Sequence, residues 1–318
     1  MTILLIGYPG AFFNWGVNAL KSLIASHVQV MHSHIDLSDF SGTFCDVDGF
    51  HVVSTNFPNP LLADNCSQAS IPIVGFFDDP VCALGSDREE LTQGTLADLR
   101  AISASVALCA DLAKLENTLI VEKSDFADGC DIVRMLQGFV KEACGIAESS
   151  GELLQELGQD LPNAYPTEGE HAESRLQTGV FGSPKSGRPT TGYKWDHTLF
   201  MLGEINEPVR SMWLDLTGPA RTLYYGPYFH IPQGVYDFRI AMQFSEDAID
   251  LPLTIELVNK EVIGRGKVSA ARAGKFAANL AADVTFPEDP IEVRIKSDEG
   301  AIFGHFGLLH VNVSPRLA

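Results

Sequence analysis

The sequence predicts two architectures in series: an α/β domain with a doubly wound, mostly parallel sheet, then an all-β antiparallel sandwich of jelly-roll type. Three observations carry this. Short apolar runs alternate with helical periodicity up to about residue 148, the apolar period falls to two after about residue 193, and the stretch between shows neither.

In the first domain, Ile3 to Ile6 is a continuous apolar run that ends in Gly7-Tyr8-Pro9-Gly10, and Val17, Leu20, Leu23 and Ile24 then recur on one helical face. That is a strand, a turn and a helix. Three further runs, Val28–Ile35, Gly49–Thr55 and Ile71–Phe77, read as strands, the last closed by Asp78-Asp79-Pro80. Leu99, Ile102, Val106, Cys109 and Ala113 mark a second helix, Thr118–Val121 a fifth strand, and Ile132, Leu136, Phe139, Val140 and Ala143 a last helix. Residues 149–192 are rich in Pro, Gly, Ser, Glu and Gln and read as a polar linker.

From residue 193 onward the alternation is strict in Tyr236, Phe238, Ile240, Met242 and Phe244. It recurs in Leu253, Ile255 and Leu257, in Ile291, Val293 and Ile295, and in Leu309, Val311 and Val313. Turn residues such as Pro232-Gln233-Gly234 and Pro287-Glu288-Asp289-Pro290 separate the runs, as a sandwich of about eight strands requires.

The 318 residues carry a formal charge of −19. Residues 1–150 hold 7 Lys and Arg against 19 Asp and Glu, and the remainder 15 against 22. A field of this sign disfavours nucleic acid and anionic membrane as partners. No stretch has the length of a membrane span, and Met1-Thr2-Ile3-Leu4-Leu5-Ile6-Gly7 lacks the basic flank of a signal peptide. Cys45, Cys66, Cys82, Cys109, Cys130 and Cys144 all fall in the first half with no CxxC pair, so reduced cysteines and a cytoplasmic location are expected.

A strand-turn-helix start presents free backbone N–H groups and the positive end of the helix dipole to an anion. Here the turn is Gly7-Tyr8-Pro9-Gly10-Ala11-Phe12-Phe13-Asn14-Trp15, which is neither GK[ST] nor GxGxxG. Residues Tyr8 to Trp15 resemble the phosphosulfate loop of the sulfotransferase family, Y-P-K-S-G-T-T-W. Ser54-Thr55-Asn56-Phe57-Pro58 is similar to that family's K-T-H-L-P, and Asp78 to Ser86 to its R-x-P-x-D-x-x-x-S element. Lys123-Ser124-Asp125-Phe126 falls where the family has Y-E-D-L. The resemblance covers residues 3–146 and implies a P-loop sulfotransferase-like scaffold. The residues it assigns to the donor phosphosulfate are Tyr8, Pro9, Gly10, Asn14, Trp15 and Ser86.

The departures set the functional expectation. In the family a loop Lys meets the leaving phosphate, a His takes the acceptor proton, and an Arg with a Ser grips the 3′-phosphate. Gly10 stands at the Lys position, Asn56 at the His and Asp78 at the Arg; only Ser86 remains. Each lost charge-assisted contact costs about 1.5–3 kcal/mol. Phe12 and Phe13 stand where the family has small residues that let the phosphate reach the backbone. The expectation is a donor site that does not serve phosphoadenosine phosphosulfate, with no cofactor, and with catalysis itself left open.

The second domain opens on the most aromatic stretch of the chain: Trp213, Arg221, Tyr224-Tyr225-Gly226-Pro227-Tyr228-Phe229-His230 and Tyr236. Gly226-Pro227-Tyr228 to Tyr236 resembles the opening of jelly-roll modules attached to bacterial polysaccharide-synthesis proteins, and more loosely carbohydrate-binding modules. Aromatic rings stack on sugar C–H faces while Arg and His bond hydroxyls, so Trp213, Arg221, Tyr225, Tyr228 and His230 are the expected glycan contacts. Tyr236 and Phe238 are expected in the core. Tyr224 and Tyr225, being adjacent, must face opposite ways.

Other groups carry less. His32 and His34 share one face of a strand, but no third ligand stands at metal spacing, so no metal is expected. His305 and His310 differ in parity. Asp78 and Asp79 would serve acid/base work as a pair, but their side chains diverge in a strand and a helix-capping role before Val81 is favoured, and no G-x-S-x-G elbow supports a nucleophilic serine. The leading reading is a sulfotransferase-like protein, a pseudoenzyme for the usual donor, whose sandwich binds a glycan or oligosaccharide in surface-polysaccharide synthesis or modification. An active sulfo- or glycosyltransferase with an altered donor site, and a structural assembly partner, stay open, as does homo-oligomerisation.

Overall fold

The computed structural model describes residues 1–35, 49–78, 93–162, 181, 184–185, 188–189, 192–203, 205 and 207–316. Five parallel strands, β1 (Thr2–Gly7), β2 (Val30–His34), β3 (Phe50–Thr55), β4 (Ile73–Phe77) and β5 (Thr118–Glu122), form the first sheet in the order β2-β3-β1-β4-β5. Helices α1 (Ala11–Ala25), α2 (Leu61–Gln68), α3 (Gln93–Leu112) and α4 (Gly129–Cys144) connect or follow the strands. This is the doubly wound arrangement that the alternating pattern predicts.

Ile3, Leu4, Leu5 and Ile6 are fully buried, as a central parallel strand covered on both faces must be. Helix α4 is delimited at both ends. The Asp128 carboxylate accepts from the Cys130 N–H at 3.0 Å, and Gly145 ends the helix with φ at 68°, a conformation that favours glycine.

A further helix, α5 (Gly151–Gln159), lies inside the segment that the sequence marks as linker. Its Leu154 and Leu157 join the first core, and Gly158 meets α4 so closely that a Cβ there would sit 2.5 Å from the Cys130 sulfur. One helical turn of leucines in a breaker-rich stretch gives too short a periodic signal to read alone.

After the two-residue pair β6 (Pro184–Lys185) and β7 (Arg188–Pro189), the chain forms two antiparallel sheets. One holds β10 (Leu214–Asp215), β18 (His305–Pro315), β13 (Gly234–Phe244) and β16 (Gly274–Val284) in that order, with β8 (Tyr193–Asp196) also on β18. The other runs β15 (Glu261–Val268), β14 (Leu253–Asn259), β17 (Ile291–Ser297), β11 (Thr222–Tyr225), β9 (Met201–Leu202), with β12 (Pro227–Phe229) also on β17. Their inward residues, among them Trp195, Tyr224, Phe238, Ile255, Val293 and Phe306, are wholly or almost wholly buried. Tyr236 is in this core as expected, its hydroxyl donating to the Pro232 carbonyl at 2.8 Å.

The described residues divide into two compact units. The second takes α3 through Ala104 and the chain from Pro189 onward; the first takes most of the remainder. Within the first unit, β1 and β4 approach so closely at their C-terminal ends that a Cβ on Gly7 would lie 2.2 Å from the Phe76 carbonyl oxygen. Gly7→Ala should therefore overpack this contact and destabilise the first unit by about 1–3 kcal/mol. Native-state hydrogen exchange checks it: amides of β1 and β4 should lose protection while those of β13 keep theirs.

Candidate functional site

In the first unit the carboxyl ends of β1, β3 and β4 meet where the strand order turns back on itself, the usual ligand crevice of an open α/β sheet. The turn from β1 to α1 is only Tyr8-Pro9-Gly10. Gly10, at φ 154°, is the residue before the helix, and its carbonyl accepts the Asn14 N–H at 3.2 Å. Asn14 is exposed and Pro9 half-buried.

The aromatic residues of the turn are directed inward. Phe12 stacks on Trp15 at 5.7 Å, and Trp15 donates its indole N–H to the Leu157 carbonyl at 3.0 Å, tying α1 to α5. Phe12 and Phe13 are buried in the helix's inner face, which is a packing role and not the obstruction of a phosphate that their position suggests. The Tyr8 ring is buried edge-on to Phe77 at 4.9 Å. Asn56, at the position of the family's His, is buried and donates its amide N–H to the Gly7 carbonyl at 2.9 Å; the Ser105 hydroxyl donates to the same oxygen at 3.2 Å. It fixes the end of β1. Ser86 and Asp79 lie outside the described residues.

The residue whose charge the sequence leaves unread here is Lys123. It follows β5 directly, is 3% exposed, and pairs with Asp78 at 3.2 Å while its ammonium lies 5.9 Å from the Phe12 ring centre. The available signal was a cation immediately after the apolar run Thr118–Val121, at the sheet's carboxyl edge. Asp78, for which the sequence favours a helix-capping role, is this lysine's counter-ion.

The expected glycan contacts of the second unit separate into two groups, because the chain crosses from one sheet to the other between β10 and β11. Leu214 pairs with the core residue Phe306, so Trp213 and Asp215 point to the outer face of the β10-β18 sheet. Trp213 is 43% exposed and stands edge-on to His305, ring centres 6.4 Å apart at 84°. Beside this segment, Ile302 and Phe303 are 84% and 59% exposed.

The loop is held firmly. The Arg221 guanidinium donates to the carbonyls of Asp215 at 2.7 Å and Thr217 at 2.9 Å; Leu216 N–H donates to Gly304 O at 2.9 Å. The Thr217 hydroxyl donates to Ile302 O at 3.2 Å, and Gly218 and Ala301 exchange backbone bonds. The Thr217 backbone N–H also holds the Asp215 carboxyl below the usual carboxylate range. Arg221 therefore acts on the loop's carbonyls.

Tyr225 and Tyr228 belong to the other sheet, and His230 directly follows its strand β12. Tyr224 is buried, and Tyr225 on the opposite face meets Tyr228 at 6.0 Å. The Tyr228 hydroxyl donates to Glu292 at 3.0 Å, the Arg100 guanidinium lies 5.0 Å over its ring, and burial pushes the phenol pKa up. Arg100 also donates to the Pro227 carbonyl at 2.8 Å, and burial lowers its pKa. His230 donates from Nδ1 to Pro287 O at 2.9 Å and from its backbone to the Ser103 hydroxyl at 3.0 Å; burial pushes its imidazole pKa down. Arg100 and Ser103 come from α3, about 125 residues away in sequence, too far for local pattern to announce.

The two halves are similar to different proteins. No protein-family model matches the sequence, and no curated protein matches it. Among solved structures, the N-terminal half is similar to the mouse sulfotransferase SULT7A1 complexed with PAP, at 13% identity over 52% of this chain and 67% of that one, with a TM-score of 0.37. The sandwich is similar to the CBM36-1 domain of a multidomain xylanase from the hindgut metagenome of Trinervitermes trinervoides, at 12% identity over 40% of this chain and 99% of that one, TM-score 0.27. It is also similar to the TmCBM61 module in complex with β-1,4-galactotriose, at 9% identity over 33% of this chain and 69% of that one, TM-score 0.26.

The buried Lys123–Asp78 pair has a testable consequence. Removing one partner of a buried ion pair leaves an uncompensated charge, whereas apolar residues of similar size at both positions are often neutral. Asp78→Leu and Lys123→Met should each cost about 3–5 kcal/mol in urea denaturation, and the double substitution should recover most of the loss.

Proposed function

We propose that the second unit is a glycan-binding module centred on Trp213, carried by a sulfotransferase-like first unit that does not use phosphoadenosine phosphosulfate. The protein then acts in the cytoplasm on a surface polysaccharide, by synthesis or modification. The observation that supports this reading is an exposed indole on a loop fixed by Arg221, Thr217 and the Gly218–Ala301 pair. A rigid aromatic face binds with little loss of conformational freedom, and Asp215 and His305 share its side of the sheet and offer hydrogen bonds to hydroxyls.

The donor reading is supported by two features of the crevice. Asn56 offers an amide already bonded to Gly7 where a base is needed, and the Lys123 charge is matched by Asp78. The overall charge of −19 further disfavours a polyanionic donor and favours a neutral glycan.

A second reading, a transferase with an altered donor, has one observation in its favour: Lys123 lies at the sheet's carboxyl edge, close to Phe12 in the first turn of α1. Thermal shift with phosphoadenosine phosphosulfate separates the two. Ligand at ten times a binding constant would add about 1.4 kcal/mol, so the first reading expects no shift. A saturable, salt-dependent shift would overturn the first.

For the sandwich, Trp213→Ala in the full chain should weaken binding on a neutral oligosaccharide array at least about tenfold, corresponding to about 1.4 kcal/mol, with the melting temperature unchanged. Trp195→Ala, by contrast, removes a fully buried ring and should cost about 3–5 kcal/mol of stability. Unchanged binding by Trp213→Ala would place the glycan contact elsewhere than Trp213, and no binding by the wild type would move the assembly-partner reading to first place.

A further inference from the structure

Sheet edges among the described residues of the sandwich differ in kind. Strands β8, β9, β10 and β12 are only two to four residues long. β15 is eight residues long, but its ladder with β14 shifts register between Leu257 and Val258, and it carries Glu261, Arg265 and Lys267. Shortness, bulges and charges keep an open edge from pairing with another chain. β16 lacks all three over its middle. It is eleven residues long, no strand lies beyond it among the described residues, and its ladder with β13 runs from end to end without a shift. Between Lys275 and Asp283 it reads Phe-Ala-Ala-Asn-Leu-Ala-Ala, with no charge and no proline. Lys275, Ala277, Asn279, Ala281 and Asp283 are exposed on its outer face. Phe276, Ala278 and Leu280 stand in register with the core residues Met242, Ile240 and Phe238, yet are themselves only half-buried.

We propose that β16 is a self-pairing edge: a second copy of this chain adds its own β16 antiparallel to it, joining the two sheets into one. The strand is complementary to itself about Asn279. With the two-fold axis at that residue, Lys275 lies opposite Asp283 of the second copy, and Asp283 opposite Lys275. Neither residue has an ion-pair partner in its own chain among the described residues. Asn279 meets its own counterpart and Ala277 meets Ala281, so nothing bulky or like-charged is opposed on the outer face. On the inner face Leu280 lies opposite Ala278 and Phe276 opposite Ala282, a large residue against a small one each time. Moving the axis to residue 278 or 280 separates both charge pairs, so the charges also fix the register.

The formal charge of −19 on each copy opposes association at long range. At physiological salt it is screened beyond about 8 Å, whereas directly opposed Cβ atoms stand about 5 Å apart. β10 and β16 are at opposite ends of their sheet, so the pairing leaves Trp213 uncovered. On the glycan reading of Trp213, on which this consequence alone rests, the joined sheet carries two indoles on one face, and a polymeric ligand gains by engaging both.

Sedimentation equilibrium of the full chain at physiological salt tests the pairing. The wild type should show a monomer–dimer equilibrium between about 1 μM and about 1 mM chain. Lys275→Asp and Asp283→Lys each oppose two pairs of like charges and should weaken the dimer at least about tenfold. Mixed one to one, the two variants should pair with each other, and the double substitution in one chain should return the dimer to within about threefold of wild type. Both positions are exposed, so the melting temperature of the monomer should not move. Hydrogen exchange of the wild type supplies a readout that needs no variant: amides of residues 274–284 should gain protection as the concentration rises, and those of β15 should not. A monomer throughout, a dimer that the single substitutions leave unchanged, a loss that neither mixing nor the double substitution restores, or β16 exchange independent of concentration would each overturn the proposal.

Discussion

The second unit depends on how the chain crosses between its two sheets. Between Asp215 on one sheet and Thr222 on the other, the backbone leaves both ladders, and its carbonyls need partners. Arg221 supplies them from its side chain, while its own backbone N–H donates to the Ser297 hydroxyl at 3.0 Å. One planar guanidinium thus closes the crossing, and the closed crossing holds Trp213 outward on one sheet while Tyr224 enters the core from the other. The aromatic stretch that looks like one cluster in sequence becomes two surfaces and part of a core.

The first unit shows the opposite economy of charge. Its crevice has the topology of a ligand site, but its polar groups serve one another. Asn56 and Ser105 hold the Gly7 carbonyl, Trp15 reaches α5, and Lys123 is paired with Asp78. A buried lysine needs such a partner, since an unmatched ammonium in this environment carries several kcal/mol of desolvation. The pairing with Asp78 is what makes a buried Lys123 tolerable.

Much of the fold was legible because both periodicities are local. The apolar run Ile3–Ile6 and the alternation from Tyr236 to Phe244 each place their residues correctly, and the turn residues between strands fall where the strands end. The site was legible only in part. Which face Trp213 takes follows from its register against β18, and Asn56 reads as a substituted catalytic position until its bond to Gly7 is seen. The roles of Lys123, Arg100 and Ser103 depend on partners 45 to 127 residues away, and no spacing rule reaches that far. The helix α5 was hidden for a related reason: its leucines gain meaning only against α4.

On the proposed reading, the exposed indole of the Trp213 loop, and not the crevice of the first unit, meets the ligand. Hydrogen–deuterium exchange of the full chain with and without a binding oligosaccharide tests it most directly. Added protection is expected at residues 211–218 and 300–306 alone. Protection at residues 8–15, or centred on residues 225–228, with the Trp213 segment unchanged, would contradict it.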